Sequence, residues 1–176
     1  IKGHMPLAEG LLGFALRSNF DLAVASELRL DHSILVPLHF LTPSMDIPVV
    51  PLYVNGFAAP LPSARRCQAL GRTIARFLKQ YSPDTRVALL ASGVFSLEVG
   101  GPQVGWTDME WVQTVSDLLT RGDYRTLVRR ATPQRMAAAG NVSGELLNWI
   151  TMTGALSDVR PLFVETDGGS GYAVWK

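Results

Sequence analysis

Apolar positions along this chain fall into two rhythms. Between residues 6 and 18, Leu7, Leu11 and Phe14, joined by Leu12 or Ala15, recur at helical spacing behind Pro6, which suits a first helical turn. The run "FDLAVASEL" (20–28) reads as a strand. "DHSILVPLHFL" (31–41) predicts a helix capped by Asp31 or Ser33, and "IPVVPLYVN" (47–55) a strongly apolar strand ending at Asn55-Gly56. The clearest amphipathic helix covers 60–81, with Ser63 as cap and Cys67, Leu70, Ile74, Phe77 and Leu78 on its buried face. "TRVALLASG" (85–93) is the next predicted strand. Thr107 with Glu110 forms a capping box ahead of a helix over 111–119, and a more polar helical stretch runs from Tyr124 to Ala139. Ser143 then starts "GELLNWITMTGAL", and the chain closes on a hairpin pattern, "RPLFVETDGGSGYAVWK" (160–176).

Helices alternating with two-sided apolar strands predict an α/β domain: one domain, with a mainly parallel central sheet flanked by helices. Ligands of such sheets bind at the carboxyl ends of the strands. Three predicted strand ends carry polar groups there: Asp31-His32, Asn55, and the segment from Ser92-Gly93 to Ser96.

Composition narrows the partners. The 176 residues are 47% hydrophobic and 18% charged, as expected of a folded chain. A net charge of +1 gives no electrostatic case for nucleic acid or for an anionic membrane, and Arg129-Arg130 is too short a basic run to change that. No apolar run approaches the ~20 residues that span a bilayer. One cysteine, Cys67, excludes an internal disulfide and favours a reducing, cytoplasmic setting; inside a helical pattern it reads as a small core side chain rather than a nucleophile.

Each polar candidate has a plain structural explanation beside a functional one. His32 either packs at a helix start or serves a site; position alone leaves these even. His39 lies seven residues further on, not at the four-residue spacing of paired metal ligands, and His4 is uninformative alone. Asn55-Gly56 suits a turn, and Glu145 in a first helical turn suits the helix dipole. No GxGxxG, phosphate-binding loop or GxSxG is present. The residues alone thus reach a site near His32, Asn55 and Ser96, without naming a reaction.

Taken in order, "KGH", "DHSILVPL", "IPVVPLYVN", "PLPSARRCQALGRTI", "SGVFS" and "GELLNWITMTGAL" resemble the catalytic beta subunits of class III extradiol ring-cleavage dioxygenases, the group containing protocatechuate 4,5-dioxygenase. The resemblance covers essentially the whole chain and places residues 1–176 as the C-terminal two thirds of the family domain. It implies an Fe(II) site of the two-histidine-one-carboxylate kind, acting with O2 on a catechol-like or related hydroxylated aromatic ring. Glu145 matches the family's carboxylate iron ligand, and His32 the histidine that meets the substrate. Asn55 and Ser96 match positions at the substrate pocket. The family's two iron-binding histidines lie ahead of "KGH", and the opening "IKGHMPLAEG", inside a motif and without an initiating Met, reads as a chain lacking its N-terminal part.

Two further departures bear on mechanism. Leu97 stands where the family carries its acid–base histidine, and the tail has no histidine where relatives often have an HxYH-like stretch. The alternative reading is therefore a catalytically silent subunit that pairs with an active one. The resemblance also implies a small helical partner subunit and a homo- or hetero-oligomer. Trp106 and Trp111 are candidates for such an interface, although a tryptophan at helical spacing is more often core.

Overall fold

The computed structural model describes residues 1–82, 84–157 and 159–176. They form two compact units, Ile1–Tyr53 with Thr73–Ala88, and Val54–Arg72 with Leu89–Lys176.

In the first unit, helix α1 spans Met5–Arg17. Its cap is His4, whose Nδ1 accepts the Leu7 N–H at 3.1 Å, so this histidine has a structural job that spacing could not reveal. The same histidine's N–H donates to the Val49 carbonyl, and the Val49 N–H to that of Lys2. These bonds make a single parallel bridge, Gly3 to Val49. Helix α2 spans His32–Leu41, and Asp31 is its cap: one carboxylate oxygen takes both the Ser33 N–H and the Ser33 hydroxyl. The Ser33 hydroxyl, together with backbone N–H groups, holds Asp31 below the usual carboxylate range, although its slight burial pulls the other way. Helix α3 spans Ala64–Tyr81. Within this unit its Phe77 ring packs on Phe14 of α1 at 5.8 Å and on Tyr81 at 5.2 Å.

The second unit holds most of the core. Helices α4 (Met109–Arg121), α5 (Tyr124–Arg130), α6 (Pro133–Ala138) and α7 (Leu146–Leu156) bury Trp111, Val115, Leu119, Leu127, Met136, Leu147 and Ile150 around Phe95. Cys67 is part of that core, as its place on the helical pattern predicts. Burial pushes its thiol up to about 11. The cap of α4 is Asp108, one residue beyond the predicted Thr107, because the Asp108 carboxylate takes the Trp111 N–H at 2.9 Å. Its other oxygen pairs with Arg135 at 2.8 Å, and that guanidinium lies 4.5 Å over the Trp111 ring. The polar stretch from Tyr124 to Ala139 is two short helices, not one. Pro133 cannot continue α5, and Thr132 caps α6 through its hydroxyl. The predicted hairpin is present: β1 (Phe163–Asp167) pairs antiparallel with β2 (Ser170–Val174) around Gly168-Gly169.

The expected central parallel sheet is not what the described residues show. They are mixed helix with one small two-stranded antiparallel sheet, and parallel pairing is confined to Gly3–Val49. The runs predicted as buried strands over 20–28 and 85–93 carry no ladder, and Val24 is 70% and Leu90 57% exposed. An apolar run states that a segment wants two covered faces, but a ladder also needs a neighbouring backbone, and none pairs with these two. Among the described residues no helix is long and apolar enough to cross a membrane.

Candidate functional site around Glu145

Three stretches far apart in sequence meet within the second unit: the Asn55-Gly56 turn, the loop 92–99, and residues 141–149. The loop joins no β-ladder; its Phe95 and Ser96 N–H groups donate to the Gly169 carbonyl at the β1–β2 turn, and its other backbone groups need further partners. Side chains of 141–149 supply them almost residue by residue. Asn148 Nδ2 donates to the Ser92 carbonyl at 2.9 Å, and Trp149 Nε1 to the Gly93 carbonyl at 2.8 Å. Glu145 Oε2 accepts the Val94 N–H at 2.9 Å. Further along, the Ser143 hydroxyl accepts the Leu97 N–H, and the Asn141 side chain both accepts from the Val99 N–H and donates to the Val99 carbonyl. Glu98 is also absorbed here, its carboxylate taking the Asn141 N–H at 2.8 Å.

Glu145 ends a single 3-10 turn, Ser143–Glu145, that leads into α7. Its backbone lies tight against both other stretches. A Cβ on Gly56 would sit 2.8 Å from the Gly144 carbonyl, and one on Gly93 would sit 2.8 Å from the Glu145 Cβ and carbonyl oxygen. Gly93 has φ +147, a conformation open essentially to glycine, so residue type and position are both explained by closeness to Glu145.

The predicted site residues divide accordingly. Asn55, Ser96 and Glu145 lie in this unit, whereas His32 lies in the first unit, exposed in the first turn of α2. The Asn55 side chain is used locally: Oδ1 accepts from the Phe57 and Ala58 N–H groups, and Nδ2 donates to the Ala58 carbonyl. Ser96 is fully buried, its hydroxyl donating to the Ala139 carbonyl at 2.5 Å and accepting the Asp108 N–H at 2.7 Å. Leu97 places no ionisable group at its position in the loop 92–99. Trp111 is buried core and Trp106 is exposed, on the loop 97–106. Asn141, Asn148 and Trp149 are the residues that sequence reasoning missed. The signal was an amide and an indole N–H inside an otherwise apolar helix start, since each such group needs a partner when buried.

The donor chemistry at Glu145 suits a metal ligand in one respect. It is half-buried, and with Oε2 held by Val94 its other carboxylate oxygen has no hydrogen-bond partner among the described residues. Among those residues no three His, Cys, Asp or Glu side chains gather at one point. The residues present therefore fit as one carboxylate contribution to a metal site, not as a complete ligand set.

Comparison with known proteins gives a consistent result. A family profile described as the catalytic LigB subunit of aromatic ring-opening dioxygenase matches residues 1–172. The chain is 32% identical over 161 residues to a gallate dioxygenase of Pseudomonas putida, a match covering 89% of this chain and 47% of that protein. It is 39% identical over 103 residues to a 2,3-dihydroxyphenylpropionate/2,3-dihydroxicinnamic acid 1,2-dioxygenase of Klebsiella pneumoniae, covering 58% of this chain and 32% of the relative. An Escherichia coli protein of the same name is 37% identical over 111 residues, 60% of this chain and 35% of its own length. The chain thus spans half or less of the curated relatives it matches.

Proposed function

We propose, from the premise that this chain belongs to the family of catalytic LigB subunits of aromatic ring-opening dioxygenases, that it forms part of an Fe(II)-dependent extradiol dioxygenase acting on a catechol-like ring. The observation that carries the proposal is the convergence of three separate stretches on Glu145, with one carboxylate oxygen lacking a hydrogen-bond partner among the described residues. Bound there, Fe(II) would supply a redox centre able to serve both a diol and O2.

The chain's own residues would do the following. Glu145 holds the metal through its uncommitted oxygen, while Val94 keeps the other in place. The further ligands come from polypeptide outside these residues, in keeping with a chain that spans 47% of the gallate dioxygenase. His32, exposed and next to the Asp31 carboxylate, takes a proton from the substrate hydroxyl in place of the histidine that Leu97 replaces. Asn55 and Ser96 shape the wall of the substrate pocket: both side chains are committed to backbone groups, so they act by fixing the two loops rather than by binding substrate directly. In this reading the runs 47–55 and 85–93 join the family's parallel sheet in the longer protein, which works in the cytoplasm as an oligomer, with a small helical partner or a fused equivalent.

Anaerobic Fe(II) reconstitution of the full-length protein, followed by oxygen uptake with a panel of diols that includes a trihydroxybenzoate and a dihydroxyphenylpropanoid, tests the proposal. Uptake with at least one diol and a ring-opened product is expected; no uptake with any of them despite bound iron refutes ring cleavage. Leu97 favours one second reading, a silent subunit paired with an active homologue. Stoichiometric iron and turnover in the protein without a partner would eliminate it.

A further inference from the structure

The Val94 N–H can hold Glu145 Oε2 only while its own peptide is held still. Two side chains from the first turn of α7 grip the adjoining carbonyls, Asn148 on Ser92 and Trp149 on Gly93, at 2.9 and 2.8 Å. Residues 92–94 have no β-ladder to fix them, so these two bonds take the place of strand pairing. The Trp149 indole is buried and its ring packs edge-on against Phe95 at 4.9 Å, which anchors the donor in the core. Glu145 and Trp149 thus hold the two ends of one peptide, Gly93–Val94, and Asn148 holds the peptide before it, all from a single helix start.

We propose that Asn148 and Trp149 are positioning residues for Glu145, holding the 92–94 backbone so that its carboxylate offers one oxygen, in one orientation, to a divalent metal. The inference rests on the proposed metal role of Glu145 and extends it to two residues that would never touch the metal. Outer groups that orient ligands typically account for ~10–100-fold in metal affinity.

The test uses the full-length protein with Co(II) as the probe, since its visible absorption reports coordination geometry independently of turnover. Asn148→Leu removes the amide donor at similar volume, and Trp149→Phe removes the indole N–H while keeping an aromatic ring. Each is expected to weaken Co(II) binding by ~10-fold or more and to alter the Co(II) absorption spectrum, with the circular dichroism of the fold retained. Unchanged affinity and spectrum in both variants overturn the positioning role. Should Asn148→Leu fail to fold, Trp149→Phe decides alone, because it removes the indole N–H and leaves an aromatic ring beside Phe95. A Glu145→Gln variant separates the two levels: if it binds Co(II) as tightly as the parent, the metal reading of Glu145 fails. If it loses Co(II) while the clamp variants do not, only the positioning proposal fails.

Discussion

Replacing Gly93 by alanine should be among the costliest single-methyl additions to this chain. Two separate effects meet at that residue. Its φ of +147 lies where a side chain strains the backbone, at ~1–3 kcal/mol. The added Cβ would also stand 2.8 Å from both the Cβ and the carbonyl oxygen of Glu145, closer than such atoms approach without movement. Relieving that contact means shifting the backbone at a helix start, worth a further ~1–3 kcal/mol. The sum, about 2–6 kcal/mol, is a large part of the ~5–15 kcal/mol that holds an ordinary domain folded. Gly100 supplies the control: its φ is +71, but a Cβ there meets nothing within 4 Å. Gly100→Ala should therefore cost only the conformational part, ~1–2 kcal/mol. Urea unfolding of the two variants beside the parent measures the difference, and Gly93→Ala should also disturb metal binding by displacing Glu145. If Gly93→Ala costs no more than Gly100→Ala, the close approach of the loop to Glu145 is wrong, and the site built on it falls.

Other consequences follow from single groups. Cys67, with its thiol pushed up to about 11 by burial, should resist alkylation at pH 8 in the folded chain and react at once on unfolding; rapid labelling of native protein would contradict its burial. Because that value is raised, the stability it contributes is fully present below the unfolded value of about 8.5 and is lost as pH rises through the folded one, so Cys67→Ala should flatten the decline of stability between about pH 9 and 11. Ser96→Ala strands the Ala139 carbonyl and the Asp108 N–H, and should cost ~2–4 kcal/mol in urea unfolding. A loss under ~0.5 kcal/mol would show that the hydroxyl is not the buried bridge described. Tyr124→Phe removes the hydroxyl that donates to the Val159 carbonyl at 2.6 Å and accepts the Trp175 indole N–H at 2.8 Å. It should cost ~1–3 kcal/mol, and an unchanged unfolding midpoint would refute both bonds.

Much of the helical framework was legible because helices are local. The faces of α1 and α3, the Asp31 cap and the Gly-Gly hairpin each follow from residues within a few positions of one another. Errors came where the deciding partner was distant or nearly equivalent. Asp108 and Thr107 are neighbouring, nearly equivalent cap residues, and Asp108 is the one whose carboxylate takes the Trp111 N–H while its second oxygen pairs with Arg135, 27 residues away. The predicted strands failed because apolar runs do not name the backbone they pair with.

At the site, the residues alone pointed to His32, Asn55 and Ser96, and only the resemblance brought in Glu145; the family match over residues 1–172 agrees with that resemblance. It could not say how they meet. Only the tertiary structure shows that Gly93 is glycine because Glu145 is beside it, that the Ser96 and Asn55 side chains are spent on backbone groups, and that Asn148 and Trp149 hold the loop. The physical reason is the range of the interactions. Helical periodicity and caps act over one to four residues, whereas the bonds that set Glu145 join positions 51 to 56 residues apart, and no local pattern encodes them.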